Sequence, residues 1–174
     1  MITLKKNILI TGSPGVGKTT LIKRLVKALK TVRPVGFYTE EIRESGIRKG
    51  FALASFNGKR GTLSHTDISS QFRVGKYRVD IAGFEAFLDD IDFLSPVTEL
   101  IVIDEIGKME CLSKKFVSFL NHILNSDKLV IATIALKGSG VIEAVKKRPD
   151  ITLFQITTRN RDSLLLEILM LLGE

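Results

Sequence analysis

The chain has 174 residues, 44% hydrophobic and 26% charged, with 26 Lys and Arg against 19 Asp and Glu for a formal charge of +7. These proportions belong to an ordinary globular protein with a full core, and they exclude disordered, collagen-like and low-complexity classes. One cysteine, Cys111, and two histidines leave no intrachain disulfide and no ligand set for a structural zinc site. A reducing, cytoplasmic setting is therefore expected.

Taken in chain order, Lys6 to Thr11 reads as a short apolar strand ending in a glycine-rich turn. It lacks the cleavage pattern of a leader peptide. Lys18 to Lys30 follows as an amphipathic helix, with Leu21, Ile22, Leu25, Val26 and Leu29 on one face. From Val35 to Ile81 short segments are divided by Gly46, Gly58, Gly61 and Gly75, the pattern of several strands joined by turns. A helix carrying Phe84, Phe87, Leu88, Ile91 and Leu94 is expected to stop before Pro96. Leu100 to Ile103 and Leu129 to Ile134 are continuous apolar runs, the mark of strands buried on both faces.

Between those two strands, Ser113 is placed to cap a helix whose inner face is Phe116, Phe119, Leu120, Ile123 and Leu124. A short helix near Val141 to Lys147, a strand at Ile151 to Ile156 and a last helix from about Asp162 complete the chain. The run from Leu164 to Leu172 is read as a core helix, since no stretch approaches the roughly 20 apolar residues of a membrane span. There is no repeat and no linker, so residues 1–174 are expected to form one domain. Strands alternating with helices argue for an α/β fold with a mostly parallel sheet flanked by helices. The glycine-rich middle reads as an antiparallel addition to it.

The strongest chemical signal is Gly12, Ser13, Pro14, Gly15, Val16, Gly17, Lys18 and Thr19, a full G-x-x-x-x-G-K-[ST] phosphate-loop match. It lies between an apolar strand and an amphipathic helix, which is the context the motif needs. Glycines let successive backbone N–H groups turn inward as an anion nest, and the helix opening at Lys18 adds its positive end. Lys18 is placed for the β- and γ-phosphates, Thr19 for Mg²⁺, and Thr20 for the α-phosphate. The second signal is Asp104 and Glu105 after the buried run Leu100 to Ile103. A carboxylate at the end of such a strand completes the Mg²⁺ shell of a phosphate-loop protein, and that role falls to Asp104. Glu105, one residue on, is placed to orient or deprotonate an attacking water, which a kinase does not need.

Together with the phosphate loop, Gly36-Phe-Tyr-Thr-Glu-Glu-Ile-Arg43, Arg60-Gly61, Arg73-Val-Gly-Lys-Tyr77 and Val102-Ile-Asp-Glu-Ile-Gly-Lys-Met-Glu110 carry a family resemblance. The chain resembles the thermophile nucleoside-triphosphatase family, whose vertebrate members are called cancer-related nucleoside triphosphatases. The likeness continues through Arg148-Pro-Asp150 and Thr157-Thr-Arg-Asn-Arg161 and so spans nearly the whole chain. It implies slow hydrolysis of ATP, GTP and other nucleoside triphosphates to diphosphate and phosphate, with little choice of base. It also implies a RecA-like variant of the P-loop NTPase fold, in which another strand separates those bearing the phosphate loop and Asp104. The family's second nucleotide-binding segment maps onto Leu100, Ile101, Val102, Ile103, Asp104, Glu105, Ile106 and Gly107. Cys111 stands where a leucine is commoner in the family, with no catalytic consequence.

Hydrolysis also calls for positive charge on the transferring group, and Arg60 and Arg161 are the favoured candidates. Lys108 and Glu110 either line the site or form an ordinary ion pair. Arg159 and Asn160 are candidates for the base, against a helix cap by Thr158 or Asp162. Phe37 and Tyr38 are read as strand aromatics before base-stacking groups, and His65, His122 and Cys111 as structural. Two rival functions remain: a nucleotide or nucleoside kinase, and a nucleic-acid-associated ATPase. The second is suggested by the basic excess of Arg43, Arg48, Lys49, Lys59, Arg60, Arg73, Lys76 and Arg78 over Glu44 and Asp67, although no nucleic-acid motif accompanies it. Oligomeric state is not legible.

Overall fold

The computed structural model describes residues 6–30 and 32–173. Strand β1 (Asn7–Gly12) leads into helix α1 (Lys18–Ala28), and five strands follow: β2 (Pro34–Glu44), β3 (Ile47–Ser55), β4 (Arg60–His65), β5 (Arg73–Val74) and β6 (Tyr77–Val79). Then come α2 (Ile81–Asp89), β7 (Leu100–Ile106), a 3-10 turn (Glu110–Leu112), α3 (Lys114–Asn125), β8 (Leu129–Ala135), α4 (Val141–Lys146), β9 (Ile151–Gln155) and α5 (Leu164–Leu172). The strands form one sheet in the order β5-β6-β4-β3-β2-β7-β8-β1-β9. Pairings from β2 through β7, β8 and β1 to β9 are parallel, and those from β2 outward to β5 are antiparallel. The mostly parallel α/β sheet and its antiparallel addition are thus both present. β8 lies between β1 and β7, the separation that the RecA-like arrangement requires.

Alternation along the central strands sorts side chains into two cores. Leu9, Ile101, Ile103 and Ile106 face one side, where Phe84, Phe87, Phe116 and Leu120 of α2 and α3 cover them. Ile8, Ile10, Leu100 and Val102 face the other, against Leu21, Ile22 and Leu25 of α1 and Ile168 of α5. A strand with apolar residues on both faces can only lie inside such a sandwich, which is why β1 is buried along its whole length. β2 lies close against β7 because Gly36 has no side chain: a Cβ there would collide with the Val102 carbonyl, and its φ of 134° suits glycine alone.

Three expectations need correction. The helix expected to reach Leu94 ends at Asp89, where the chain tightens into turns (Ile91 N–H to Leu88 O, Phe93 N–H to Ile91 O). Ile91 and Phe93 still enter the core through those turns, whereas Leu94 is half exposed. α5 begins at Leu164, close to the expected start, and packs on α1 with one face only. Leu164 and Ile168 are buried, but Leu166 and Met170 stand in solvent, so it is a covering helix and not a core one. Neither Thr158 nor Asp162 caps it, since Ser163 occupies that position without a side-chain bond. Among the described residues no helix is long and apolar enough to cross a membrane.

Ser113 caps α3 as expected: its hydroxyl oxygen accepts from Phe116 N at 2.9 Å, and its O–H donates to Glu85 Oε1 at 2.6 Å. It therefore ties α3 to α2 as well as closing the helix end. Ser113→Ala is expected to lower unfolding free energy by about 1 kcal/mol, measured by urea denaturation with an unchanged m-value.

Candidate functional site

The site gathers at the C-terminal ends of β1 and β7, beside Thr39 midway along β2, where side-chain carboxylates meet the opening of a helix. After β1 the chain turns through Ser13 to Gly17, held by a bond from Val16 N–H to Ser13 O at 3.2 Å. Gly17 sits at the α1 N-cap with φ of 112°, a conformation that a side chain would strain. No side chain caps that end, so the first N–H groups of α1 stay available to an anion. Lys18 crosses the loop. Its ammonium donates to Gly12 O at 3.1 Å and lies 3.6 Å from Glu105 Oε2.

Opposite the loop, β7 breaks its ladder with β8. Ile103 pairs with Ala132 and Ile106 with Ile134, so Asp104 and Glu105 together face Thr133 alone. Such a bulge re-aims side chains. Asp104 is 1% exposed and takes two hydroxyl bonds, from Thr19 to Oδ2 at 2.7 Å and from Thr133 to Oδ1 at 2.5 Å. Burial pushes its carboxyl above the usual carboxylate range, and the bonds from Thr133, Thr19 and the backbone of Thr39 oppose that shift. Glu105 is half-buried and likewise raised by burial, against the pull of Lys18. A hydroxyl and a carboxylate meeting beside an anion nest are the hard oxygen donors that Mg²⁺ prefers.

Of the remaining expected contacts, Leu100, Ile101, Val102, Ile103 and Ile106 have their side chains buried in the two cores. They support the segment and do not face the loop. Gly15, Val16, Gly17 and Thr20 line a cleft of about 320 Å³ together with Arg24, Ile156, Arg161 and Asp162. Arg161 therefore stands on the Thr20 side of the loop. Arg60 lies on β4 and donates to Glu40 Oε2 at 2.6 Å, and Glu40 also faces Lys23 of α1 at 3.6 Å.

Asn160 is committed to the turn itself. Its side chain accepts from Thr157 N at 2.7 Å and donates to Gln155 O at 2.9 Å. Phe37 is core, edge-on to Phe84 and Phe87, and Tyr38 packs on Phe56 beneath the Lys23 ammonium. Lys108 is exposed and Glu110 buried, and no ion pair joins them among the described residues. Burial pushes Glu110 up to about 8, with the Glu105 carboxylate adding to the shift. Cys111 is pushed up to about 12 by burial, which keeps it a thiol, as its structural reading expects. Most of the basic middle region is already paired: Arg43 and Arg48 with Glu41, Lys49 with Glu44, Lys59 with Asp90 and Arg60 with Glu40. Arg73, Lys76 and Arg78 have no acidic partner among the described residues.

The family model described as NTPase matches residues 7–169. The chain belongs to the NTPase family and is a hydrolase. It is 46% identical over 166 residues to nucleoside-triphosphatase THEP1 of Thermotoga maritima, covering 95% of this chain and 94% of that one. It is 37% identical over 181 residues to the human cancer-related nucleoside-triphosphatase, with 95% of each chain covered. The crystal structure of THEP1 from Aquifex aeolicus superposes with a TM-score of 0.82 at 36% identity, covering 97% of this chain and 99% of that one. The α/β phosphate-loop fold of this NTPase is therefore shared along its whole described length.

Thr133 was not among the candidates, although a threonine inside the apolar run Leu129 to Ala135 is visible in the sequence. Thr133→Val keeps the volume and removes the donor to a buried carboxylate. It is expected to cost about 2 kcal/mol of stability, measured by chemical denaturation of the purified protein.

Proposed function

We propose that this NTPase hydrolyses nucleoside 5′-triphosphates to the diphosphate and phosphate in a Mg²⁺-dependent reaction with little choice of base. The observation that carries this reading is the bulge in β7. It turns Asp104 onto the Thr19 hydroxyl and leaves Glu105, next in the chain, beside Lys18. Thr19 and Asp104 would hold the ion, which when bound neutralises the β- and γ-oxygens. The N–H groups of the loop and of the start of α1 receive the polyphosphate, and Lys18 moves from Gly12 O and Glu105 onto its terminal groups.

Glu105 accepts a proton from the attacking water as its oxygen bonds to the γ-phosphorus, while the bond to the β-bridging oxygen breaks. Half-buried, it keeps contact with solvent, the source of that water. The cleft beside Thr20 supports weak choice of base, because its rim carries exposed charged groups (Arg24, Arg161 and Asp162) in place of a closed apolar slot. Arg161 lines the same cleft as Thr20, which supports a role for it at the α-phosphate end. Arg60 is the better transition-state arginine. Glu40, which holds it, follows Thr39, whose backbone bonds Asp104.

Phosphate release over a panel of triphosphates, with and without Mg²⁺, tests the reading. Glu105→Gln is expected to keep nucleotide affinity and lose on the order of 10²-fold or more in kcat. Lys18→Ala is expected to weaken binding itself in direct titration. Full turnover by Glu105→Gln would remove that residue from the mechanism, and phosphoryl transfer to an added acceptor in excess of free phosphate would make the protein a kinase. Arg60→Ala is expected to lower kcat by on the order of 10-fold or more at similar KM, whereas Arg161→Ala raises KM.

A further inference from the structure

Within the antiparallel ribbon, the cations that no acid pairs are concentrated in the hairpin of β5 and β6, at the outer edge of the sheet. Register sets Arg73 directly opposite Arg78 there, and Lys76 stands in the turn between them. All three are exposed, and none has an acidic partner among the described residues. Like charges set face to face across strands weaken a sheet, and strands of two and three residues have few ladder bonds to offset that. Acids return one strand further in, where His65, opposite Arg78, lies 3.7 Å from Glu44 and 3.9 Å from Asp67.

Two further observations describe what the pair can hold. Val79 lies in the core with Phe84 and Phe87 of α2, and Ser64 opposite it is buried too. Alternation therefore turns Arg78, and Arg73 across from it, to the other face of the ribbon. Each guanidinium is also anchored by the hairpin backbone. Arg73 Nε donates to Gly75 O at 2.6 Å and Arg78 Nη1 to Ser70 O at 2.7 Å. These bonds use one nitrogen of each fork and leave the other donors for an anion.

We propose that the β5–β6 hairpin docks the phosphate backbone of a single-stranded nucleic acid, Arg73 and Arg78 sharing one phosphate and Lys76 taking the next. Phosphate oxygens match the guanidinium fork, and a chain of phosphates gives the lysine a partner as well. A hairpin this narrow suits a flexible strand that bends onto it, whereas a duplex stays straight over such a length. Contacts to the backbone alone carry no sequence choice. Six strands separate β5 from β1, so this surface stands apart from the phosphate loop and does not depend on the reaction proposed above.

The test is fluorescence anisotropy of a labelled, mixed-sequence single strand of about 12 nucleotides against the full chain, without triphosphate, over a range of salt. Three contacts at about 0.7 each predict a slope of log K on log salt of about −2. Arg73→Gln with Arg78→Gln is expected to weaken binding about 10-fold or more and to bring the slope to about −0.7. Arg73→Lys with Arg78→Lys keeps the charge without the fork and is expected to fall between that variant and the parent. If the Gln pair does not fold, the Lys pair decides, and parent-like binding by it overturns the proposal. Arg43→Gln with Lys49→Gln removes the same charge from cations already paired with Glu41 and Glu44, and is expected to stay within about 2-fold of the parent. Equal weakening by the two Gln pairs reduces the effect to net charge and overturns the proposal, as does a parent that binds no strand at low salt. Equal binding of the annealed duplex overturns it too, as does displacement of the strand by polyglutamate or phosphatidylserine vesicles at matched charge.

Discussion

The two hydroxyl bonds to Asp104 are the constraint on which the site depends. A carboxylate with almost no exposure would be pressed toward its neutral form, and Thr19 and Thr133 supply part of what water no longer gives. Thr19 belongs to the first turn of α1 and Thr133 to β8, so one side chain fastens the phosphate loop, β7 and the strand between them. The strand order makes this possible. With β8 inserted between β1 and β7, a threonine there reaches Asp104 from within the sheet while α1 reaches it from above.

A division of labour follows between the two halves of the sheet. The parallel half, β7-β8-β1-β9, brings the loop and the acid pair to one edge, as open parallel sheets do at their carboxyl ends. The antiparallel half touches the site through β2, whose Thr39 backbone bonds Asp104. Four of its basic residues, Arg43, Arg48, Lys49 and Arg60, pair with the β2 acids Glu40, Glu41 and Glu44. Part of the charge that looks in the sequence like a polyanion surface is here paired within the ribbon, Arg48 and Lys49 of β3 with Glu41 and Glu44 of β2.

Much of this was legible in the sequence for a physical reason: elements buried on both faces have no freedom in their patterning. β1, β7 and β8 read as apolar runs, and Gly15 and Gly17 of the loop stand where the backbone leaves ordinary φ. The Ser113 cap was equally visible. What the sequence hid were features set by tertiary placement. The end of α2 at Asp89 could not be told from Ile91 and Phe93, because turns feed those residues into the same core as the helix does. α5 looked like a buried helix, yet its apolar residues outnumber the face that α1 offers. Glu110 stood beside Lys108 as half of an apparent pair, and only the tight turn after Gly107 sends one inward and leaves the other in solvent.

β2 is the hinge of meaning between those halves, parallel to β7 on one flank and antiparallel to β3 on the other. Its register with β7 is fixed over Pro34 to Phe37, ahead of the point where the ribbon leaves the main body. At that same level Phe56 N–H donates to Gly36 O at 3.2 Å, and the connection then turns through exposed residues 57–59, where lengthening costs a chain little. A segment added at that corner would therefore have to leave Arg60, the next residue along and the first of β4, in register with Ala54 of β3.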